Sequence, residues 1–128
     1  MRVGNDIETA LYTKLTTDKY SASAHALPAS LGATLPHIHV VRTGGYTSDL
    51  VIEQNNVDFD VYASDYADAM GTALDLCDWV RSLVGENIST PCYYSEVTTL
   101  PYPNPDPRHP NMPRATFKAQ ILTRTRGA

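Results

Sequence analysis

The chain reads as an α+β domain: a mostly antiparallel sheet of four to five strands with two helices packed on one face, in the order α-β-β-(β)-α-β-β. Three observations predict this. Val57, Phe59, Val61 and Ala63 alternate with Asp58, Asp60 and Tyr62, the period of a strand with one dry and one wet face. Directly after it, a long segment up to Gly85 carries apolar residues at helical spacing. Strand-like segments then arrive as sequential neighbours, which favours antiparallel pairing with the helices gathered on one side.

Taken in order, Asn5 or Asp6 caps a first helix whose apolar stripe is Ile7, Ala10, Leu11 and Leu15, ending near Thr17. Residues 18–35 are rich in Ala and Ser and contain Pro28 and Gly32, so they read as a long connection. His37 to Thr43 reads as a strand stopped by a turn at Gly44-Gly45, and Thr47 to Gln54 as its hairpin partner. Asn55-Asn56 is either a bend or a bulge inside a longer strand that continues to Ala63.

Ser64 and Asp65 have the side-chain oxygens of N-cap residues, and Asp65 and Asp68 suit the positive end of a helix. On a wheel of residues 66–84, one arc holds Tyr66, Met70, Ala73, Leu74, Leu76, Cys77, Val80, Leu83 and Val84. Two residues break the pattern: Trp79 falls among polar neighbours and Arg81 falls inside the apolar arc. Trp79 is either a half-exposed ring or a subunit contact. Arg81 lays its stem on the core and sends its head to the sheet edge, or enters an intersubunit ion pair. Cys92 to Leu100 has strand composition, the six prolines between Pro101 and Pro113 enforce extended backbone, and Ala115, Phe117, Ala119 and Ile121 mark a last strand.

With 128 residues the chain is expected to form a single domain over residues 1–128. Its formal net charge of −4 comes without a basic stripe; Arg124 and Arg126 are the nearest approach to one, so sequence-specific DNA binding is not expected. No run approaches the roughly 18 apolar residues of a membrane span, and Met1 to Asp6 has no apolar core of a secretory signal. Cys77 and Cys92 are expected to remain thiols in a reducing cytoplasm.

Chemistry is sparse. His37 and His39 lie two apart and share a strand face, which supplies two ligands of a zinc site that needs a third; His25 and His109 fall in loops. Asp58 and Asp60 share a face, with Asp49 and Glu53 near in sequence, and a charged outer strand face explains them more simply than paired-carboxylate hydrolysis. Gly44-Gly45 lacks the Lys-Ser/Thr of a phosphate loop, and Ser30 and Ser48 lack the glycines of a nucleophile elbow. No cofactor, metal or enzymatic activity is expected.

The block Val57–Leu83, with its strand, Ala63-Ser64-Asp65 cap and a helix bearing Ala67, Ala73 and Val80-Arg81-Ser82-Leu83, resembles the central region of tail terminator proteins of long-tailed bacteriophages. Ile7 to Leu11 as an opening helix and the Leu100–Arg114 segment feeding a last strand extend the resemblance over most of the chain. It implies a structural subunit of a virion neck or tail, made in the bacterial cytoplasm and assembling as a homohexameric ring. Such a ring caps the tail tube, ends its polymerisation and meets the head connector or stopper protein. DNA passes through its lumen without sequence-specific binding. The resemblance makes Trp79, Arg81, Tyr102, Arg108, His109 and Arg114 candidate subunit or partner contacts, and loops 18–35 and 101–113 candidate assembly loops. Asp49, Glu53, Asp58 and Asp60 become candidate lumen-facing acids that repel DNA. Alternatives are another neck or head–tail joining protein, a small His/carboxylate metal enzyme, and a module whose Pro-rich loop is a ligand.

Overall fold

A computed structural model describes residues 6–48, 52–88 and 90–124. It is α+β: helix α1 (Ile7–Thr17), strands β1 (Ser21–Ala24), β2 (His37–Ser48) and β3 (Ile52–Tyr62), helix α2 (Tyr66–Arg81), then β4 (Cys92–Pro103) and β5 (Arg114–Arg124). The five strands form one sheet in the order β1-β2-β3-β5-β4, antiparallel throughout except for the parallel β1–β2 pair.

The element string matches the sequence expectation, but two of its strands arise differently. Thr47 and Ser48 belong to β2, and Asn55 and Asn56 sit inside one continuous β3, paired on both sides. The additional strand is β1, inside the segment expected to be a structureless connection. Ser-Ala-Ser-Ala has little intrinsic strand preference, so its extended state follows from four parallel pairings with residues 37–40 of β2. Where β1 stops, the Glu8 carboxylate takes over the β2 edge and accepts from the Arg42 N–H at 2.7 Å.

Gly44-Gly45 does not end β2. The strand passes through it with a register shift between Arg42 and Gly44, at φ +147° and +141°. At Gly45 a Cβ would lie 1.9 Å from the Gln54 carbonyl oxygen, so only glycine permits this approach of the two strands.

One hydrophobic cluster unites α1 (Ile7, Leu11, Leu15), α2 (Ala73, Leu76, Val80) and the odd-numbered residues of the central strands, Val57, Phe59, Val61, Ala115, Phe117 and Ala119. Phe59 and Phe117 stack with ring centroids 4.9 Å apart, and Trp79 meets Phe59 edge-on at 6.3 Å. The N-caps form as expected: Asp6 accepts from Thr9 N–H at 3.2 Å and Asp65 from Asp68 N–H at 2.7 Å.

The wheel of α2 needs rotation. Its buried stripe runs through Ala69, Ala73, Leu76, Val80 and Leu83, whereas Tyr66, Leu74 and Val84 are exposed. Trp79 is therefore neither half-exposed nor an available contact. It is 8% exposed, and its Nε1–H donates to Asp18 beyond the end of α1 at 2.8 Å. Arg81 stays on its own helix, exposed and paired with Asp78 at 3.0 Å, rather than reaching the sheet edge.

Trp79→Ala should cost about 3–5 kcal/mol of folding stability by opening the core. Trp79→Phe should cost about 1 kcal/mol through the lost hydrogen bond to Asp18. Urea unfolding of the two variants checks both values.

Candidate functional site

Strand alternation gives the sheet a second face, away from the core cluster, and this face is lined with polar groups. β3 contributes Asp58, Asp60 and Tyr62; the residues opposite them are Val41, His39 and His37 on β2, and Lys118, Thr116 and Arg114 on β5. The segment after β4 supplies Asn104, Asp106 and His109 to the same groups.

Asp106 is the centre of the first cluster. Only 2% of it is exposed, and it accepts from Tyr62 Oη at 2.8 Å, Arg108 N–H at 3.0 Å and His109 Nδ1 at 3.1 Å. The last contact assigns the His109 proton to Nδ1, because an ionised carboxylate only accepts. Arg114 completes the knot. Its Nε–H donates to the Asn104 carbonyl at 2.6 Å, its Nη1 lies 3.7 Å from Asp106 and 3.8 Å from Asp60, and its guanidinium sits 5.7 Å from the Tyr62 ring centroid.

Burial alone would push the Asp106 carboxyl up. The bonds from Arg108, His109 and Tyr62, with the Arg114 charge, outweigh it and hold the group well below the usual carboxylate range. Burial pushes the Tyr62 phenol up to about 12, so it remains a donor at neutral pH.

The neighbouring carboxylates are matched as well. Asp58 pairs with Lys118 Nζ at 2.9 Å, and that bond raises the lysine pKa. Asp60 accepts from Thr116 Oγ1 at 2.7 Å, and Thr116 accepts from Asn104 at 3.1 Å.

The second cluster fastens β1 to β2. The period-two serines of β1 meet the period-two histidines of β2 in register, Ser21 with His37 and Ser23 with His39. The Ser21 hydroxyl lies 3.0 Å from His37 Nδ1, His37 Nε2 lies 2.8 Å from Ser23 Oγ, and Ser23 Oγ lies 2.7 Å from His39 Nδ1. The result is a hydrogen-bonded chain Ser21–His37–Ser23–His39 with both rings buried. Burial lowers both imidazole pKa values; the neighbouring ring adds to this at His37, while Asp60 and Glu8 oppose it at His39.

The remaining candidates separate. Of the four acids expected on one lumen wall, the three that are described do not share a surface. Glu53 belongs to the core-side parity of β3, is 2% exposed and lies 3.8 Å from Arg42; Asp49 falls outside the described residues. Asp58 and Asp60 carry matched cations, so they present no bare negative wall. Tyr102 is half-buried opposite Thr116, and Arg108 projects its side chain with 78% exposure. His25 lies between Asp6 at 3.4 Å and Glu8 at 2.9 Å. Among the described residues no group of three His, Cys, Asp or Glu side chains is placed to hold a metal. Cys77 and Cys92 are separate buried thiols, both pushed up by burial.

Sequence reasoning missed Asp106 and Tyr62 as partners, and no local signal joins a lone acid between Pro105 and Pro107 to a strand residue more than forty positions earlier. The Ser/His ladder did carry a signal: two period-two pairs of complementary hydrogen-bonding residues. Comparison with protein-family models and with curated proteins finds no match. No helix among the described residues is long and apolar enough to cross a membrane.

Stability should fall in two steps on acidification. His37 and His39 have lowered folded pKa values, so the unfolded chain takes up more protons as pH drops below about 6.5 and folding weakens. Asp106, also lowered, contributes its full stabilisation above the ordinary carboxyl pKa of about 3.9 and loses it progressively below. Thermal melts from pH 8 to 3 should show both steps. A His37→Gln/His39→Gln variant should lose the first, and Asp106→Asn should lose the second and about 1.5–3 kcal/mol at neutral pH.

Proposed function

We propose that the chain is the subunit of a phage tail terminator, a homohexameric ring that caps the tail tube, ends its polymerisation and joins the tail to the head connector. DNA passes through the lumen without sequence-specific contact, and the protein resides in the virion neck. The reading draws on the resemblance of the strand–cap–helix block and on an α+β fold in which that block, β3 followed by α2, lies at the centre.

One observation carries it: where the chain directs its polar and its apolar side chains. The charged groups of the outer sheet face are turned onto one another, with Asp106, Arg114, Asp60, Asp58 and Lys118 closing internal pairs. Large apolar side chains instead point out from edge strand β4 and around α2. Tyr93, Tyr94 and Leu100 are exposed on β4, the last at 67%, and Tyr66, Leu74 and Val84 on and just beyond α2. Tyr12 and Tyr46 are exposed elsewhere, but α2 packs against β4, so most of the exposed large apolar side chains sit on neighbouring elements, a feature of subunits that assemble.

The 101–113 segment fits the same role in a changed form. A candidate assembly loop by its sequence, it is pinned to the sheet within the subunit by Asp106. Its outward residues Pro107, Arg108 and Pro110 stand on a fixed base, and a preformed loop loses less entropy on meeting a neighbouring ring.

Electron microscopy of the purified protein, alone and mixed with tail tubes of its own phage, tests the proposal. Six-membered rings and tubes capped at one end, with elongation halted, are expected. A monomer at all concentrations that leaves tube growth unchanged would sink it.

A further inference from the structure

We infer that the outer edge of β1 is the seat for the β4 edge of a second copy, joined as an antiparallel strand pair that carries the sheet from one subunit into the next. This rests on the ring reading above and names the surface that closes the ring.

The strand order β1-β2-β3-β5-β4 leaves two sheet edges, and they belong to β1 and β4. β1 runs with β2, β3 runs against them, β5 against β3, and β4 against β5. β1 and β4 therefore point in opposite directions within one subunit. Rotation about an axis along the strands preserves direction, so a neighbour's β4 arrives antiparallel to β1, the more stable of the two pairing modes. A contact between two different edges is heterologous, and such contacts close into rings when the rotation from one subunit to the next closes.

The two edges also match in length. β1 offers four residues, bracketed by Lys19 and His25, both in the left-handed region at φ +70° and +69°. The Ala24 carbonyl turns inward to accept from Ala26 N–H at 2.8 Å, which ends the edge. On β4, register shifts lie at 92/94 and between 97 and 99, leaving Tyr94–Val97 as the regularly paired run. Each edge is thus regular over about one four-residue window and interrupted outside it.

Apart from its shortness, β1 lacks the devices that normally blunt an edge: Ser-Ala-Ser-Ala has no charge, no proline and no bulge. A groove of about 450 Å³ runs along it, lined by all four of its residues, by Thr9 and Tyr12 of α1, and by Pro28 and Thr34.

Side-chain parity limits the pairing to every second register, and placing Glu96 against Ser23 selects one of them. Ala22 and Ala24 stand on the core side, opposite Ile38 and Val40; Ser95 and Val97 stand on the core side, opposite Ile121 and Ala119. Keeping core side with core side sets Val97 against Ala22 and Ser95 against Ala24. The two methyl groups leave room for the larger partners. On the polar side Glu96, the sole charge of β4, falls against Ser23 and diagonal to the exposed His25, with Lys19 at the other end of the window. The Glu96 carboxylate thus meets an edge with the Lys19 ammonium at one end and the His25 ring at the other.

A cross-link tests the register. In the Ala22→Cys/Val97→Cys protein, mild oxidation should give a ladder of disulfide-linked species up to the closed ring on non-reducing gels. Either single variant, or Thr13→Cys/Val97→Cys, should give none. Glu96→Lys should raise the subunit dissociation constant by about tenfold or more in sedimentation, a loss of about 1.4 kcal/mol. Circular dichroism establishes that each variant is folded; if the double-cysteine protein is not, the Glu96→Lys measurement decides alone. Rings that form but show neither the ladder nor the Glu96→Lys effect overturn this interface while leaving the ring reading standing. Wild-type protein that stays monomeric with tubes present overturns both.

Discussion

Phe59 is the residue on which the two halves of this chain converge. It lies on β3, which pairs with β2 on one side and β5 on the other, and its ring stacks on Phe117 and receives the edge of Trp79. Three segments distant in sequence are held by that one contact. Trp79 in turn reaches Asp18, so the same aromatic group ties α2 to the end of α1. Burial of these rings supplies a large share of the favourable free energy, because aromatic side chains remove the most apolar area from water.

The alternation that buries Phe59 also forces Asp58 and Asp60 to the opposite face. A strand with a dry side must have another side, and here it is covered by the segment containing Asp106 rather than left to water. Covered charges need partners, and the chain provides them residue by residue: lysine for Asp58, arginine and threonine for Asp60, and a phenol, an imidazole and a backbone N–H for Asp106. The second face is therefore a polar core, specific through its directional bonds where the first is specific through packing.

Much of this was legible from residue order, and the parts that were not have physical reasons. The β3–α2 block announces itself because alternation, cap and helical spacing are local signals. The strand β1 does not, because its extended state comes from its neighbour rather than from Ser or Ala. Gly44-Gly45 reads as a turn since glycine pairs usually are turns, yet here they permit a close strand approach within a strand. Trp79 reads as polar-side because the helical wheel weights Leu74 and Tyr66 as core, whereas the stripe that packs on β3, β4 and β5 is rotated to include Trp79. The Asp106 knot joins residues too far apart in sequence for any pattern to link them. The outer-face histidines were located correctly on one strand face, but their serine partners lay in a strand that had not been recognised.

The position of β5 between β3 and β4 has a consequence for how the protein comes off the ribosome. Until residues 114–124 emerge, β3 has an open inner edge and β4 has nothing to pair with. Of the five strands β5 is the last to be made and lies between two others, so this sheet closes only after residues 114–124 have emerged, and long-range pairing of this kind is slow to form. The outward edge of β4 takes shape only once β5 is in place behind it. A chain cut before β5 therefore never displays that finished edge.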